Sequence, residues 1–114
     1  VAEVERGERA VAARRCPIEV AWPSTRALTT LDFRDAWRTR WPDEVRWPGN
    51  TWTPTTPDDD PKDHHDRIDF VFFRGPLYVA RMQLVGEDEA HASVVVSPYP
   101  TDHRGVLATL RLRR

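Results

Sequence analysis

Two residues near the end of the chain, Asp102 and His103, stand together in SPYPTDHRGVLATLRLRR, between two prolines and the last apolar run. A histidine takes or gives a proton near neutral pH, and a carboxylate can accept its hydrogen bond or hold a hard cation. A third group is Asp69, inside RIDFVFF, on the strand face that also carries Val71 and Phe73. An ionised carboxylate there is costly unless it is partnered. Asp69 reads either as the exposed start of a strand, paired with Arg67 or a loop amide, or as the carboxylate that holds His103 in one tautomer beside a reacting group. Asp102 reads either as a turn residue after Pro100-Thr101 or as a carboxylate facing a divalent metal such as Mg²⁺.

A second Asp-His pair, Asp63-His64, lies in DDDPKDHHD, where no apolar run follows. The spacing of its acids and histidines fits no fixed ligand set, so the run reads as a solvated acidic loop, with Asp66 set apart because it abuts the next strand. GNTWTP places Asn50, Thr51 and Trp52 between a turn and a short extended segment. Asn50 and Trp52 are the candidate substrate-binding residues, although by composition alone Trp52 reads as core, like Trp22, Trp37, Trp41 and Trp47. The chain contains no glycine-rich phosphate loop, CxxC, HExxH or GxSxG.

These groups need elements to position them. The opening VAEVERGERAVAARR reads as polar and partly helical. Ser24 is the expected N-cap of a short helix carrying Ala27, Leu28 and Leu31, and Asp32 that of a second through Phe33, Ala36 and Trp37, which Pro42 stops. Residues 46 to 66 have loop chemistry apart from a short strand at Thr51 to Thr53, and form the stretch expected to be most mobile. RIDFVFF, LYVARMQLV, ASVVVS and GVLATLRL then follow as strands, with the turn GEDEAH between the second and third. Antiparallel pairing of these runs, with helices from the first half, gives an α+β layered fold.

The totals agree with one soluble domain over residues 1–114 and set no compartment, cytoplasmic or secreted. With 17 basic and 18 acidic residues the net charge is −1, so no global field draws the chain to nucleic acid or an anionic membrane. Sixteen of the basic residues are Arg, which reads as the codon bias of a GC-rich genome. The single Cys16 forms no internal disulfide and reads as a buried free thiol. No apolar run is long enough for a transmembrane helix.

GNTWTP, HDRIDFVFF and PYPTDHRGVLATL, in this order, resemble the C-terminal half of the endonuclease/exonuclease/phosphatase superfamily, the DNase I-like metallohydrolases. There a RIDY-type strand and a terminal SDH before an apolar strand are characteristic; here they read Arg67-Ile68-Asp69-Phe70 and Thr101-Asp102-His103. VAWPSTRALTTLDFRDAWRTRWPDE extends the resemblance over roughly residues 17–112. It implies the C-terminal part of a four-layered α/β sandwich with antiparallel-rich mixed sheets and flanking helices, and phosphoester hydrolysis with Mg²⁺ or Mn²⁺. Carried over, His103 is the catalytic histidine, Asp69 its orienting partner and Asp102 a metal ligand. The family's GDFN motif, its metal-binding glutamate and its other asparagine and histidine have no match here. The chain is therefore expected to be a little under half of such a domain, partnered by an N-terminal half. The implied activity is a divalent-metal-dependent phosphoesterase on an undetermined phosphoester; the alternative is a catalytically silent structural or interaction module derived from the same fold.

Overall fold

The computed structural model describes residues 21–114; the helical reading of the opening segment and the environment of Cys16 lie outside them. The described chain is a small α+β unit with two short helices and two sheets.

Helix α1 is Pro23–Thr30, with Trp22 at the N-cap position and proline in the first turn, where a missing N–H costs nothing. Ser24 therefore lies inside the helix, and no side chain caps its start. At the other end Asp32 sits at φ 63, its N–H bonds Thr29 O and the Phe33 N–H bonds Leu28 O. That pair of bonds is the Schellman closure of a helix C-terminus. Asp32 thus ends the first helix rather than starting the second. The start belongs to Asp35, whose Oδ1 accepts from the N–H groups of Trp37 at 3.1 Å and Arg38 at 3.4 Å to open helix α2, Ala36–Arg40. Pro42 follows soon after its end, as expected.

Strand β1, Arg34–Asp35, pairs antiparallel with β2, Phe72–Phe73. The larger sheet has the order β4-β3-β5, with β3 Leu77–Gly86, β4 Val94–Val95 and β5 Gly105–Leu112. β3 and β5 are antiparallel over almost their whole lengths, with one irregularity between Val79 and Arg81. β4, by contrast, runs parallel to the end of β3, against the expectation of antiparallel pairing. The reason lies in the GEDEAH connection: His91 and Ala92 N–H both bond Asp88 O, and this turn carries the chain back so that it re-enters beside β3 in the same direction.

RIDFVFF forms a ladder only at its last two phenylalanines. Its earlier residues keep a weak alternation, with Ile68 and Phe70 exposed and Asp69 and Val71 half-buried. Instead of a strand partner, the N–H groups of Ile68 and Asp69 find the hydroxyl of fully buried Thr51, at 3.1 and 3.2 Å. A side chain has taken over the hydrogen bonds of a ladder.

The core is where α2 lies on the sheet: Ala36, Trp37, Phe73, Met82 and Leu84, ringed by half-buried Val79, Val106, Ala108 and Leu110. Of the tryptophans expected there, only Trp37 is buried. Trp41 and Trp47 stack on each other with ring centroids 4.0 Å apart, and Trp22 is exposed. The Trp37 indole N–H donates to Trp47 O at 3.0 Å, which ties the 41–50 loop to the core. Gly49 makes the closeness possible: at φ 69, a Cβ there would fall 2.5 Å from Trp37 Cε2. Two results follow. Gly49→Ala loses about 1–3 kcal/mol through strain and overlap, and Thr51→Val loses about 1 kcal/mol by removing the acceptor of two partly buried N–H groups. Urea unfolding measures both, and unchanged midpoints would contradict these contacts.

Candidate functional site

The site begins with a three-residue segment. Thr51 to Thr53 lies between two others, as the expected short strand, but as single bridges rather than a ladder: Trp52 pairs with Asp66 on one side and with His103 on the other. Trp52 N–H donates to Asp66 O, Asp66 N–H returns to Trp52 O, and Arg104 N–H donates to Thr51 O at 2.7 Å. The buried Thr53 hydroxyl completes the seam by donating to Asp102 O at 2.6 Å. This small segment aligns residues 66–69 with residues 102–104.

The alignment brings Asp69 and His103 together. His103 Nδ1 lies 2.7 Å from Asp69 Oδ2, and the two side chains are 37% and 42% exposed. Arg67, the other partner considered for Asp69, instead pairs with Asp35 Oδ2 at 2.6 Å and lies over the Phe70 ring. The hydrogen bond that the ring donates to Asp69 holds the His103 pKa above the ordinary histidine value. Since Nδ1–H is the donor to a carboxylate, the neutral ring is held with its Nε2 lone pair outward, and among the described residues Nε2 has no hydrogen-bond partner. Such a nitrogen can take a proton from water or, once protonated, donate to an anionic oxygen.

Trp52 packs its ring edge-on to His103, with centroids 5.3 Å apart. Its own indole N–H donates to Asp63 Oδ1 at 3.1 Å, and the Thr56 hydroxyl donates to Asp63 Oδ2 at 2.9 Å. These bonds, that of Trp52 first, hold the Asp63 carboxyl below its usual range. The acidic run is thus not merely solvated. His65 is also buried: its Nδ1 accepts from Thr53 N–H at 3.3 Å, which leaves Nε2 as the donor toward Pro57 O at 3.2 Å. Asp66 contributes its backbone to the Trp52 bridge, while burial pushes its carboxyl up.

Arg104, next to His103, is only 3% exposed. Its Nε donates to Glu87 Oε2 at 2.8 Å, NH2 also contacts Glu87, and NH1 donates to Asn50 O at 3.2 Å. The bond to Arg104 holds the Glu87 carboxyl low. Asn50 therefore meets the site region through its carbonyl, and its position lines a groove shared with Trp37, Trp41 and Trp47. Trp52, not Asn50, lies against His103.

For a metal, the donors at this mouth are few. Asp69 is committed to His103, and among the described residues the further carboxylate acting on that ring is Asp102, which is exposed. Mg²⁺ is commonly held by one or two carboxylates together with waters and substrate phosphates, so Asp102 fits as one ligand and does not make a complete site. Elsewhere Glu87, Asp88 and His91 have nitrogen and oxygen atoms within 4.8 Å of one another, but Glu87 is taken by Arg104 and both His91 nitrogens face carboxylates. Reading residue types alone missed Thr51, Thr53, Asp63, Glu87 and Arg104. The one sequence signal for Arg104 is a guanidinium directly after Thr101-Asp102-His103, masked by fifteen other arginines.

Among the described residues no helix is long and apolar enough to cross a membrane. No family model matches the chain, and no solved structure matches it. Among curated proteins it is similar to an uncharacterized protein of Caenorhabditis elegans, F14F9.5, at 31% identity over 98 residues, covering 78% of this chain. The chain spans about a third of the length of that relative, 31% of it.

Proposed function

We propose that this chain carries the histidine half of a divalent-metal-dependent phosphoesterase, and that its two sheets belong to the C-terminal part of a four-layered α/β sandwich of the DNase I-like kind. The observation that carries the reading is the 2.7 Å contact between Asp69 and His103, on a half-exposed imidazole whose other nitrogen has no hydrogen-bond partner among the described residues. Phosphoester hydrolysis needs water placed in line with the leaving oxygen and the charge on the phosphoryl oxygens balanced. His103 Nε2 takes the proton of that water. Asp69 fixes which nitrogen faces it and stabilises the imidazolium that results. Trp52 holds the ring from one side and offers a flat apolar wall to the substrate. A bound Mg²⁺ or Mn²⁺, with Asp102 among its ligands, would neutralise phosphate oxygen charge.

A second reading, a catalytically silent structural or interaction module built on the same fold, is favoured by a different observation. Ile68, Phe70, Leu107 and Leu112 are all exposed, which leaves apolar surface for another segment or protein to cover.

The test is Mg²⁺-dependent hydrolysis of bis(p-nitrophenyl) phosphate by the purified chain. Because the reading gives this chain only the histidine half, the same assay is run on the full-length protein that contains it, and there the phosphoesterase reading expects measurable turnover that His103→Ala lowers by roughly a hundredfold to ten-thousandfold. No metal-dependent turnover, or turnover indifferent to His103→Ala, favours the module. The pH profile supplies a further result. A base must be neutral, so kcat/KM rises with pH until it passes the raised His103 pKa. In Asp69→Asn the imidazolium loses its anionic partner, so that limb moves to lower pH. A limb that stays in place contradicts the assignment.

A further inference from the structure

His91 lies in the turn between β3 and β4, with its side chain 27% exposed. Its Nδ1 is 2.7 Å from Asp88 Oδ1, and its Nε2 is 2.8 Å from Asp58 Oδ2. Both acceptors are carboxylates, which at neutral pH have no proton to give. A neutral imidazole carries one N–H and can satisfy only one of them. The two short contacts together require the imidazolium, with a proton on each nitrogen.

The two carboxylates belong to different parts of the chain. Asp88 is in the same turn as His91, whereas Asp58 is in the loop that also carries Thr56 and Asp63. Asp63 is the residue that holds the Trp52 indole N–H, and Trp52 packs against His103. We propose that His91 is a proton-operated latch: as an imidazolium it pins the 54–63 loop to the β3–β4 turn, and on deprotonation its one remaining N–H stays with Asp88 of its own turn, so that the bond to Asp58, the loop and the hold of Asp63 on Trp52 are released.

The charges around His91 agree with this. From its own turn Glu87 Oε1 also faces Nδ1, at 3.4 Å. From the start of β5 the Arg104 guanidinium opposes the imidazolium, although Glu87 is bound to it. From the loop, Asp58 also lies 3.8 Å from His65 Nδ1. Arg46 and Glu89 line the adjoining groove with opposite signs. Partial desolvation lowers the His91 pKa, but the bonds to Asp58 and Asp88 outweigh it and leave the pKa raised. The latch is therefore fully present below the unfolded histidine pKa of about 6.5, and is lost as the pH rises through the higher folded value. It does not depend on the phosphoesterase reading.

The test is amide hydrogen exchange combined with a ring titration of the isotope-labelled chain, expressed as protection factors so that the intrinsic pH dependence cancels. Below the His91 midpoint the ring is expected as a doubly protonated imidazolium. As the pH passes that midpoint, protection at the Asp60 and Asp63 amides and the Trp52 indole falls by about fivefold, the scale of a partly exposed ion pair. His91→Gln shows the lower protection on both sides of the midpoint. If that variant does not fold, Asp58→Asn, a change at an exposed position, still lowers the His91 midpoint and removes the pH step. Two results would overturn the latch: a singly protonated ring at pH 6, or protection in Asp58→Asn that matches the parent chain throughout.

Discussion

Everything at the candidate site hangs on where one guanidinium is buried. Arg104 is enclosed between Glu87 at the end of β3 and the carbonyls of Asn50 and Thr53, and its backbone N–H bonds Thr51. A buried cation demands an anion and several acceptors, because each unmet N–H inside the protein is costly. Those acceptors lie 17 residues before Arg104 at Glu87 and 51 and 54 residues before it at Thr53 and Asn50, so meeting the demand of Arg104 draws distant segments together. Once Arg104 is in place, His103 has no choice of register. It must bridge to Trp52, and the Thr51 hydroxyl that receives the Asp69 N–H then delivers the carboxylate to the imidazole.

A single buried charge can thus govern a site that is itself open to solvent. The Asp69–His103 pair is partly exposed, and exposed ion pairs contribute little to stability. Its geometry is set by the buried framework beneath it: Thr51 and Thr53 without accessible surface, His65 and Arg104 nearly so. The pair is left free to exchange protons with solvent while its atoms stay in position. This division, rigid polar framework below and titratable pair above, is what acid–base chemistry needs.

Much of this was legible in the sequence and some was not, for reasons particular to each residue. β3 and β5 follow from period-2 alternation, and the Gly-Pro turn before β3 from its own chemistry. The meeting of Asp69 with His103 was anticipated from two short motifs. The parallel direction of β4 depends on how the 87–93 turn closes, which alternation does not encode. Asp32 and Asp35 are three residues apart and both are good caps, so type alone could not tell a helix end from a helix start. The acidic run concealed Asp63 and His65, since a hydrogen bond to Trp52 or Thr53 eleven or twelve residues away leaves no local pattern. Side chains that bond distant backbone are the general case of what composition hides.

The central claim is that Asp69 controls the protonation of His103. The most direct measurement is the His103 ring titration by NMR in the parent chain and in Asp69→Asn, where the side chain keeps its shape and loses its charge. The account predicts a His103 midpoint above that of an ordinary histidine and proton on Nδ1 in the neutral ring, with the midpoint falling toward the ordinary value in Asp69→Asn. A midpoint unchanged by the substitution, or a neutral ring protonated on Nε2, would contradict it.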